Sequence, residues 1–496
     1  MSRFQLFSRR DFIKLMSAAT ATMAISRWQK VQGAGGELPI PTLLTGTETN
    51  GVMVYDLTMQ TGTTQLLNTG SATPTYGYNG SILGPVLQMR VGDNIQVNVT
   101  NNLGMQTTTH WHGLHLPAEM DGSPHQIIEN GATWSPTFTM LNRPSTCWYH
   151  PHLHGETGEQ VFMGLAGLLY VTDDASEALA IPKTYGVDDI PLTVQDRDFN
   201  PNNTFDLGGA FRKGLRIMVN GEISPNLTTH AQMIRFRLHN GSNARLYNFG
   251  FSDNRSFSQI ASEGGFLEAP VSMNRLFLTP GERAEIVVDF SADENESLAL
   301  MSYSSELSPA IIGGFDALDA SDFTVLTIDV DAATIIPTPV TSLPTSLTAI
   351  VRIAENEAIN AANPRQYELQ NGARINNVKM DINRIDQVVE LDTIEVWEIS
   401  NVSAVGHPFH IHDDTFQILS RNGVAPAANE MGWKDTVFVS PMETVKIIRP
   451  FVDFSDPVIP YMFHCHLLEH EDAGMMGQFT VINASTKIYL PTILNE

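Results

Sequence analysis

The sequence predicts an all-β protein built from three β-sandwich domains. From Glu37 onward, apolar and polar residues alternate in short segments that end in Asn, Gly or Asp, which is the pattern of half-buried strands. One such segment occurs three times, as VGDNIQVNVTNN (91–102), MIRFRLHNGS (233–242) and DTIEVWEISNVS (392–403). The intervals between the copies are typical of one sandwich domain, and long stretches with a helical period are scarce.

At 496 residues the chain is too long to form a single hydrophobic core, so several domains are expected. Changes in composition along the sequence indicate the domain boundaries. The segments LYVTDDASEALAIPK (169–183) and DAATIIPTPVTSLPTSLTAI (331–350) are typical of connections between domains. We therefore predict a signal peptide at 1–36 and sandwich domains at 37–180, 181–335 and 336–496.

The N-terminus has the features of an export signal. Arg9 and Arg10 precede Phe12 and Lys14, and the weakly apolar run LMSAATATMAI follows. This arrangement resembles a twin-arginine signal, so we expect export by the twin-arginine machinery and a periplasmic or secreted protein. No later apolar run reaches the ~20 residues of a spanning helix, and no membrane insertion of the mature chain is expected.

The charge balance argues against nucleic-acid partners. The chain has 29 Lys and Arg against 54 Asp and Glu, a formal net charge of −25. Such a surface repels phosphate backbones and anionic lipid headgroups.

The histidines are concentrated in a few places. Of 15 histidines, 12 fall in four clusters, HWHGLH (110–115), HPHLH (150–154), HPFHIH (407–412) and HCHLLEH (464–470). Two clusters lie in the first predicted domain and two in the third. Each contains His-x-His, whose members share one face of a strand. If the two domains pack face to face, eight imidazoles converge, which suits copper or zinc rather than calcium or magnesium.

Cys465 lies between His464 and His466, so its side chain is predicted to point to the opposite face of the strand. His470 follows five residues later, Met475 follows ten residues later, and His407 lies in the neighbouring cluster. Two imidazoles, a thiolate and a thioether are the ligands of a blue-copper electron-transfer site. This set favours copper over zinc and predicts that one strand serves two metal centres.

The four histidine segments, in this order, resemble the four copper motifs of the multicopper oxidases. The resemblance is closest to bacterial laccase-like and cuprous-oxidase members and extends to GWKDTV (432–437) and MGLAGLLYV (163–171). It implies three cupredoxin-like Greek-key sandwiches and four copper ions. The implied ligands are His407, Cys465, His470 and Met475 for type 1 copper, His110 and His410 for type 2, and His112, His150, His152, His412, His464 and His466 for the two type 3 ions.

The same resemblance implies roles for three carboxylates. Asp121 and Glu471 occupy positions that relay protons in similar enzymes. Asp435, in GWKDTV, is expected near the type 1 site, where it would orient a copper ligand, receive a cationic substrate or serve a structural role.

Several residues beside the motifs are predicted to have other roles. His115 and His154 are expected to form hydrogen bonds or serve a structural role rather than bind copper. Cys147 is expected to be a buried thiol, because a disulfide to Cys465 would destroy the type 1 site.

The expected activity is transfer of single electrons from a reducing donor to dioxygen, which becomes water. The donor would be a phenol or another organic molecule, as in laccases, or alternatively Cu(I) or another metal ion in copper tolerance. Cuprous oxidases often carry a methionine-rich insertion over the type 1 site, whereas the third-domain methionines here are scattered, which favours the organic donor. A copper-free structural protein of the septum is a third hypothesis, which the complete set of ligand residues disfavours.

Overall fold

The computed structural model describes residues 35–209, 211–308, 315–332 and 338–483. Within these ranges the chain forms six β-sheets that pair into three sandwiches, so the all-β prediction is confirmed. The predicted signal peptide lies outside the described residues, except for Gly35 and Gly36. Among the described helices, none has the length and hydropathy needed to span a bilayer.

The first sandwich has two sheets, in the orders β1-β5-β11-β10-β7 and β2-β3-β6-β8, with β4 paired to β3 and β9 to β6. Leu57, Val97 and Trp111 lie in the apolar core between them. Its strands are β1 (Leu43–Leu44), β2 (Thr47–Thr49), β3 (Val52–Thr64), β4 (Thr73–Tyr78), β5 (Val86–Arg90), β6 (Asn94–Asn102), β7 (His110–His112), β8 (Thr133–Trp134), β9 (Thr137–Thr139), β10 (Ser145–His150) and β11 (Gly167–Thr172).

The second sandwich has sheet orders β14-β13-β12-β16-β21-β18-β19 and β15-β23-β22-β17-β20. Phe236, Phe249 and Ile286 are among its core residues. Its strands are β12 (Asp189–Arg197), β13 (Arg216–Val219), β14 (Glu222–Ile223), β15 (Asn226–His230), β16 (Met233–Asn240), β17 (Tyr247–Phe251), β18 (Phe257–Ser262), β19 (Gly265–Met273), β20 (Leu276–Leu278), β21 (Arg283–Asp289), β22 (Ser297–Tyr303) and β23 (Asp322–Asp331).

The third sandwich has sheet orders β25-β24-β27-β31-β29 and β26-β33-β32-β28-β30. Trp397, Phe409 and Phe463 pack in its core together with Cys465. Its strands are β24 (Arg365–Gln370), β25 (Arg374–Ile375), β26 (Gln387–Glu390), β27 (Thr393–Asn401), β28 (His407–Ile411), β29 (Gln417–Arg421), β30 (Thr436–Val439), β31 (Thr444–Phe451), β32 (Asp456–Cys465) and β33 (Met476–Ile482).

The described α-helices are single turns in the connections. They are α1 (Thr157–Phe162), α2 (Asp174–Ala178) and α3 (Leu468–Asp472). Helix α3 follows β32 directly and carries His470, so this short turn brings residues after the strand back towards Cys465.

The three sequence repeats form β6, β16 and β27, and each ends in an asparagine that braces the next loop. The amide nitrogen of Asn101, Asn240 and Asn401 donates to two backbone carbonyls across that loop, at 2.7–3.0 Å. The side-chain oxygen of each accepts the N–H of the residue two positions later, at 2.9–3.1 Å. The repeat is therefore structural, because an asparagine satisfies backbone groups that the loop would otherwise leave unpaired.

The domain boundaries stay predictions. The structure shows that the segment at the start of the predicted first domain contacts the second sandwich. Glu37 pairs with Asn226, and Leu38 is buried in the core of the second sandwich. Glu37 and Leu38 nevertheless fall in the predicted first domain. Leu38 fills an apolar position beside β15, which a count of strand spacing does not reveal.

Buried hydrogen bonds and ion pairs of charged side chains join the sandwiches. Between the first and second, Thr146 donates to Glu285, and Arg237 contacts both. Between the second and third, Arg283 binds both carboxylate oxygens of Asp435, at 2.9 and 2.7 Å. Each such group would be costly to leave buried without its partner, so these pairs specify how the domains dock.

His115 links the first and third sandwiches. Its Nδ1 lies 2.6 Å from a carboxylate oxygen of Asp413, and its Nε2 lies 3.0 Å from one of Asp453. Burial disfavours the charged imidazole, but the carboxylates of Asp413, Asp414 and Asp453 together outweigh it and raise the pKa of His115 to about 9. The protonated ring is therefore part of the folded interface at neutral pH.

Because the folded pKa of His115 exceeds its unfolded value, its stabilisation is full below the unfolded pKa and is lost as pH rises towards 9. We expect the free energy of unfolding to fall by about 2 kcal/mol between about pH 7 and pH 9, and His115→Gln to remove this dependence. Urea unfolding across this pH range measures it. His125→Gln is the control, since His125 contacts the neutral amide of Gln478. An equal pH dependence in His115→Gln and the parent protein would contradict the prediction.

Candidate metal centres

The histidine pairs lie on or just after strands at the boundary between the first and third sandwiches, and His152, His412 and His466 follow the ends of β10, β28 and β32. In the first sandwich β7 pairs with β10, which sets His110 opposite His150. In the third, β28 pairs with β32, which sets His410 opposite His464. Trp111, between His110 and His112, is buried in the apolar core, as strand alternation requires.

All eight imidazoles of these pairs are buried and converge. The ring of His110 stacks on that of His412 with centroids 3.8 Å apart, and His112 stacks on His410 at 3.7 Å. Three groups have ligand nitrogens within 4.8 Å of one another: His110 with His112 and His150, His110 with His410 and His412, and His152 with His412 and His464. His466 completes the set, with its ring 5.0 Å from that of His112.

Six of these imidazoles, including that of His150, are held neutral. Burial lowers the pKa of His152 and of His466 to about 3. Burial and the neighbouring imidazoles bring the pKa of His112, His410 and His412 well below the ordinary value. A neutral imidazole has one N–H and one lone pair, and the lone pair is what a metal ion requires.

Backbone carbonyls determine which nitrogen carries the proton in three of the rings. The Nδ1 atoms of His110, His150 and His410 donate to backbone oxygens at 2.7–2.8 Å. The Nε2 atoms of the same rings are buried and have no hydrogen-bond partner among the described residues. Their lone pairs are therefore free to bind a cation.

Asp121 and Glu471 have the same effect on further rings. Asp121 accepts from Nδ1 of His412 at 2.7 Å. Glu471 lies 3.1 Å from Nδ1 of His464 and 3.4 Å from Nδ1 of His152. Although burial favours the neutral acid, the Nδ1 sides of the His152 and His464 rings face Glu471 and keep the pKa of its carboxyl below its usual range, with His464 as a hydrogen-bond donor.

The arrangement between His412 and His464 can accommodate a metal ion. Each ring has its Nδ1 beside a carboxylate, and their Nε2 atoms lie only 3.3 Å apart. With both protons on Nδ1, two lone pairs face each other, and no hydrogen bond forms between them. A soft or borderline metal ion between these nitrogens removes the conflict, and imidazole ligands suit copper.

A second group of ligands lies on the other side of β32. The Sγ atom of Cys465 is 3.4 Å from Nδ1 of His407 and 3.6 Å from Nδ1 of His470. Met475 is buried, its carbonyl accepts from the N–H of Cys465, and its own N–H donates to the carbonyl of His470. The sulfur of Cys465 and the imidazole of His464 thus leave the strand in opposite directions.

The second group is also preset for a metal ion. Burial lowers the pKa of His407 to about 3 and of His470 to about 4, so both rings are neutral. Burial raises the pKa of the Cys465 thiol, and a metal ion must displace its proton on binding. Cys147 is the other buried free cysteine, and no disulfide joins the two.

Sequence models of the multicopper oxidase family match residues 58–176, 189–312 and 352–485. The chain belongs to the multicopper oxidases. It is therefore a copper-dependent oxidoreductase with dioxygen as electron acceptor, as predicted.

Similar proteins cover nearly the whole chain. A multicopper oxidase of Staphylococcus aureus is 36% identical over 88% of this chain and 90% of its own length. The cell division protein FtsP of Salmonella typhimurium is 32% identical over 97% of this chain and 100% of its own length. The solved structure of a laccase-like multi-copper oxidase from the lignin-degrading bacterium Ochrobactrum sp. is 34% identical, covers 90% of this chain and 100% of its own, and has a TM-score of 0.80. The cupredoxin-like fold prediction is confirmed.

Asp435 occupies a different place in this multicopper oxidase than the sequence suggested. It was expected near the type 1 ligands, but its carboxylate lies 3.1 Å from Nε2 of His112 and 3.7 Å from Nδ1 of His410, within the eight-imidazole group. Asp435 directly precedes β30, which pairs with β28 and so carries it to the histidine side. Because Arg283 binds both its oxygens, Asp435 is held beside these two imidazoles and is closed to a cationic substrate.

The second sandwich, which supplies no histidine pair, closes the eight-imidazole group. Gly281 has φ +85°, and a Cβ atom there would come within 2.9 Å of the His466 ring. Arg283, two residues later, reaches Asp435. Neither residue belongs to a recognisable motif, so sequence reasoning missed both.

One edge of the Cys465 group is accessible in this multicopper oxidase. His407 and Cys465 are buried, whereas His470 is partly exposed. The half-buried ring of Phe211, from the second sandwich, meets the His470 ring edge-on with centroids 5.1 Å apart. The accessible side of this group is therefore formed by an imidazole and an aromatic ring.

Proposed function

We propose that this multicopper oxidase takes single electrons from phenolic or related organic donors at a type 1 copper and reduces dioxygen to water at a three-copper cluster. His407, Cys465, His470 and Met475 would hold the type 1 ion. His110 and His410 would hold the type 2 ion, and the two type 3 ions would be shared by His112, His150, His152, His412, His464 and His466. Four bound copper ions would supply the redox chemistry.

The observation that carries the donor class is the surface around His470. Its partly exposed edge is flanked by the Phe211 ring, against which a flat aromatic donor can pack. The third-domain methionines are scattered rather than gathered into a tract. The Ochrobactrum relative acts on lignin model compounds and lignosulfonate, which are aromatic, and this supports the same donor class.

Cys465 provides the route for electrons. It lies between His464 and His466 in sequence, and its sulfur lies on the opposite side of β32 from the His464 ring. The covalent backbone of one residue therefore joins the two groups of ligands.

Asp121 and Glu471 are proposed to relay the protons that reduction of dioxygen consumes. Imidazoles whose free nitrogens bind metal cannot supply them. Both carboxylates are buried against rings of the cluster, and one oxygen of Asp121 has no hydrogen-bond partner among the described residues. That oxygen can accept a proton from water and pass it on.

The test compares a methoxyphenol with Cu(I) as donor while oxygen uptake is followed. We expect steady oxidation of the phenol without added copper ions, with one dioxygen consumed for four electrons. The Cys465→Ser variant is the control for oxidation by copper released from the protein. Much faster oxidation of Cu(I), with the phenol reacting only when copper is added, would contradict the proposed donor class.

Oxidation of Cu(I) or another metal ion is the second candidate, and one observation favours it. Glu469 and Asp472 flank His470 on helix α3, and carboxylates attract cations. Glu469 is already engaged, since it accepts from Asn243 and lies 3.5 Å from Arg212. Asp472 likewise accepts two backbone N–H groups, so the carboxylates are committed to the fold.

A copper-free structural role, suggested by the similarity to FtsP, has less support. The unpartnered nitrogens of the buried imidazoles would each remain unsatisfied without a metal ion. Such a cluster is costly for a protein that does not use it.

Export by the twin-arginine machinery, with a periplasmic or secreted mature protein, is part of the proposal. It rests on Arg9 and Arg10 and on the apolar run that follows them.

A further inference from the structure

Ser403 is a buried residue of the third repeat and lies beside His407. Its hydroxyl oxygen is 2.8 Å from Nε2 of His407, 2.7 Å from the side-chain oxygen of Asn401 and 2.8 Å from the carbonyl of Val405. Ser403 and Asn401 are 2% and 1% exposed, so water does not compete for these contacts.

The orientation of the Asn401 amide is unambiguous. Its nitrogen donates to the carbonyls of Val405 and Val439, at 2.7 and 2.9 Å. Its oxygen accepts the backbone N–H of Ser403 at 2.9 Å. The atom that faces the Ser403 hydroxyl is therefore an acceptor.

The single proton of the Ser403 hydroxyl must then point to a carbonyl oxygen. If it pointed to His407 instead, two acceptor oxygens would face the hydroxyl oxygen at 2.7 and 2.8 Å without a proton between them. The hydroxyl consequently accepts from Nε2 of His407, and the lone pair of this neutral ring lies on Nδ1. Nδ1 is the atom 3.4 Å from the sulfur of Cys465.

Comparison of the three repeat copies shows that the contact between Ser403 and His407 is specific to the third sandwich. Asn101, Asn240 and Asn401 brace their loops in the same way in all three sandwiches. The residue two positions later differs: Leu103 in the first copy, Ser242 in the second, which contacts the hydroxyl of Tyr247 at 2.9 Å, and Ser403 in the third. Only the third copy directs a hydroxyl at a histidine of the Cys465 group.

We propose that Ser403 is a positioning residue of the type 1 site, which sets the tautomer and orientation of His407. Ser403 also tunes the electron density of the His407 ring, because its hydroxyl is neutral. An imidazole N–H that donates to a neutral hydroxyl gains less electron density than one that donates to a carboxylate, so the ring is a weaker donor to oxidised copper. The reduction potential is therefore kept higher than a carboxylate at this position would allow.

The experiment uses the copper-loaded full-length protein and the variants Ser403→Ala, Ser403→Thr and Ser403→Asp. The measurements are the blue thiolate-to-copper absorption band, the reduction potential by redox titration, and retention of type 1 copper against a chelator. Ser242→Ala is the matched control, because it removes the equivalent hydroxyl in the second sandwich.

We expect Ser403→Ala to weaken type 1 copper retention about 10–100-fold and to change the blue band, with Ser403→Thr close to the parent protein. Ser403→Asp should keep the band and lower the reduction potential. Ser242→Ala should alter none of these quantities. An intact band with a lowered potential in Ser403→Asp, against a changed band and weaker copper retention in Ser403→Ala, separates tuning of the ring from loss of packing.

Two results would overturn the inference. One is a Ser403→Ala protein that matches the parent in band, potential and copper retention. The other, decisive if Ser403→Ala does not fold, is a Ser403→Asp protein with an unchanged potential. The inference rests on the proposed type 1 site, whose own failure is distinguishable because the parent protein would then show no blue band.

Discussion

Replacing Cys465 by serine is expected to abolish the blue absorption band and to reduce oxidation of the donor more than about 100-fold, beyond the effect typical of residues that only support ligands. Serine removes the sulfur that would give the band its colour as a thiolate and that lies beside Nδ1 of His407 and of His470. The eight imidazoles on the other side of β32 do not involve this sulfur, so copper bound there should remain. Absorption spectra, copper content and oxygen uptake measure the three effects.

Cys147→Ser is the matched control, since Cys147 is the other buried free thiol and contacts Ser145 and the carbonyl of Gly113. This variant should keep the blue band and the activity. Loss of all bound copper in Cys465→Ser would show that the two groups of ligands are not separable, contrary to the geometry.

Glu471→Gln is expected to slow steady-state oxygen reduction about 100-fold, the lower part of the range for removal of a proton-transfer group. Glutamine keeps the shape of the side chain but removes the charge beside Nδ1 of His152 and His464. Reduction of the type 1 site by donor should be unaffected, because Cys465 and its partners are unchanged. Stopped-flow bleaching of the blue band without oxygen, compared with turnover in oxygen, separates these steps.

Glu395→Gln is the control for neutralising a buried glutamate in the same domain. Glu395 binds Arg365 and the indole N–H of Trp397 and takes no part in the histidine groups. If Glu471→Gln slowed bleaching as much as turnover, or slowed neither, the proton-relay role of Glu471 would be wrong.

Most of the strands could be predicted from the alternation of apolar and polar residues in the sequence. Alternating segments such as 91–102, 233–242 and 392–403 became β6, β16 and β27, because a strand buried on one face requires that alternation. The asparagine that ends each copy was visible as a turn residue, but its hydrogen bonds to carbonyls across the loop were not. Those carbonyls come from segments far away in sequence.

In the site, too, some features could be predicted from local sequence and others depended on how the strands pair. The His-x-His spacing predicted that His464 and His466 share a face and that Cys465 points away, since side-chain direction in a strand is local. The assignment of each ligand to a particular copper ion stays a prediction. Asp435 was expected beside the wrong group, because its neighbours depend on how β30 pairs with β28.

Local spacing thus specified the kinds of ligand, their grouping on strands and the class of chemistry, because strand geometry repeats every two residues. The packing of the first sandwich against the third brought the two sets of imidazoles together, so that His110 stacks on His412 and His112 on His410. The second sandwich added Gly281 and Arg283 to the cluster and Phe211 to the accessible edge of His470. These contacts join residues far apart along the chain, and no short segment carries a signal for them.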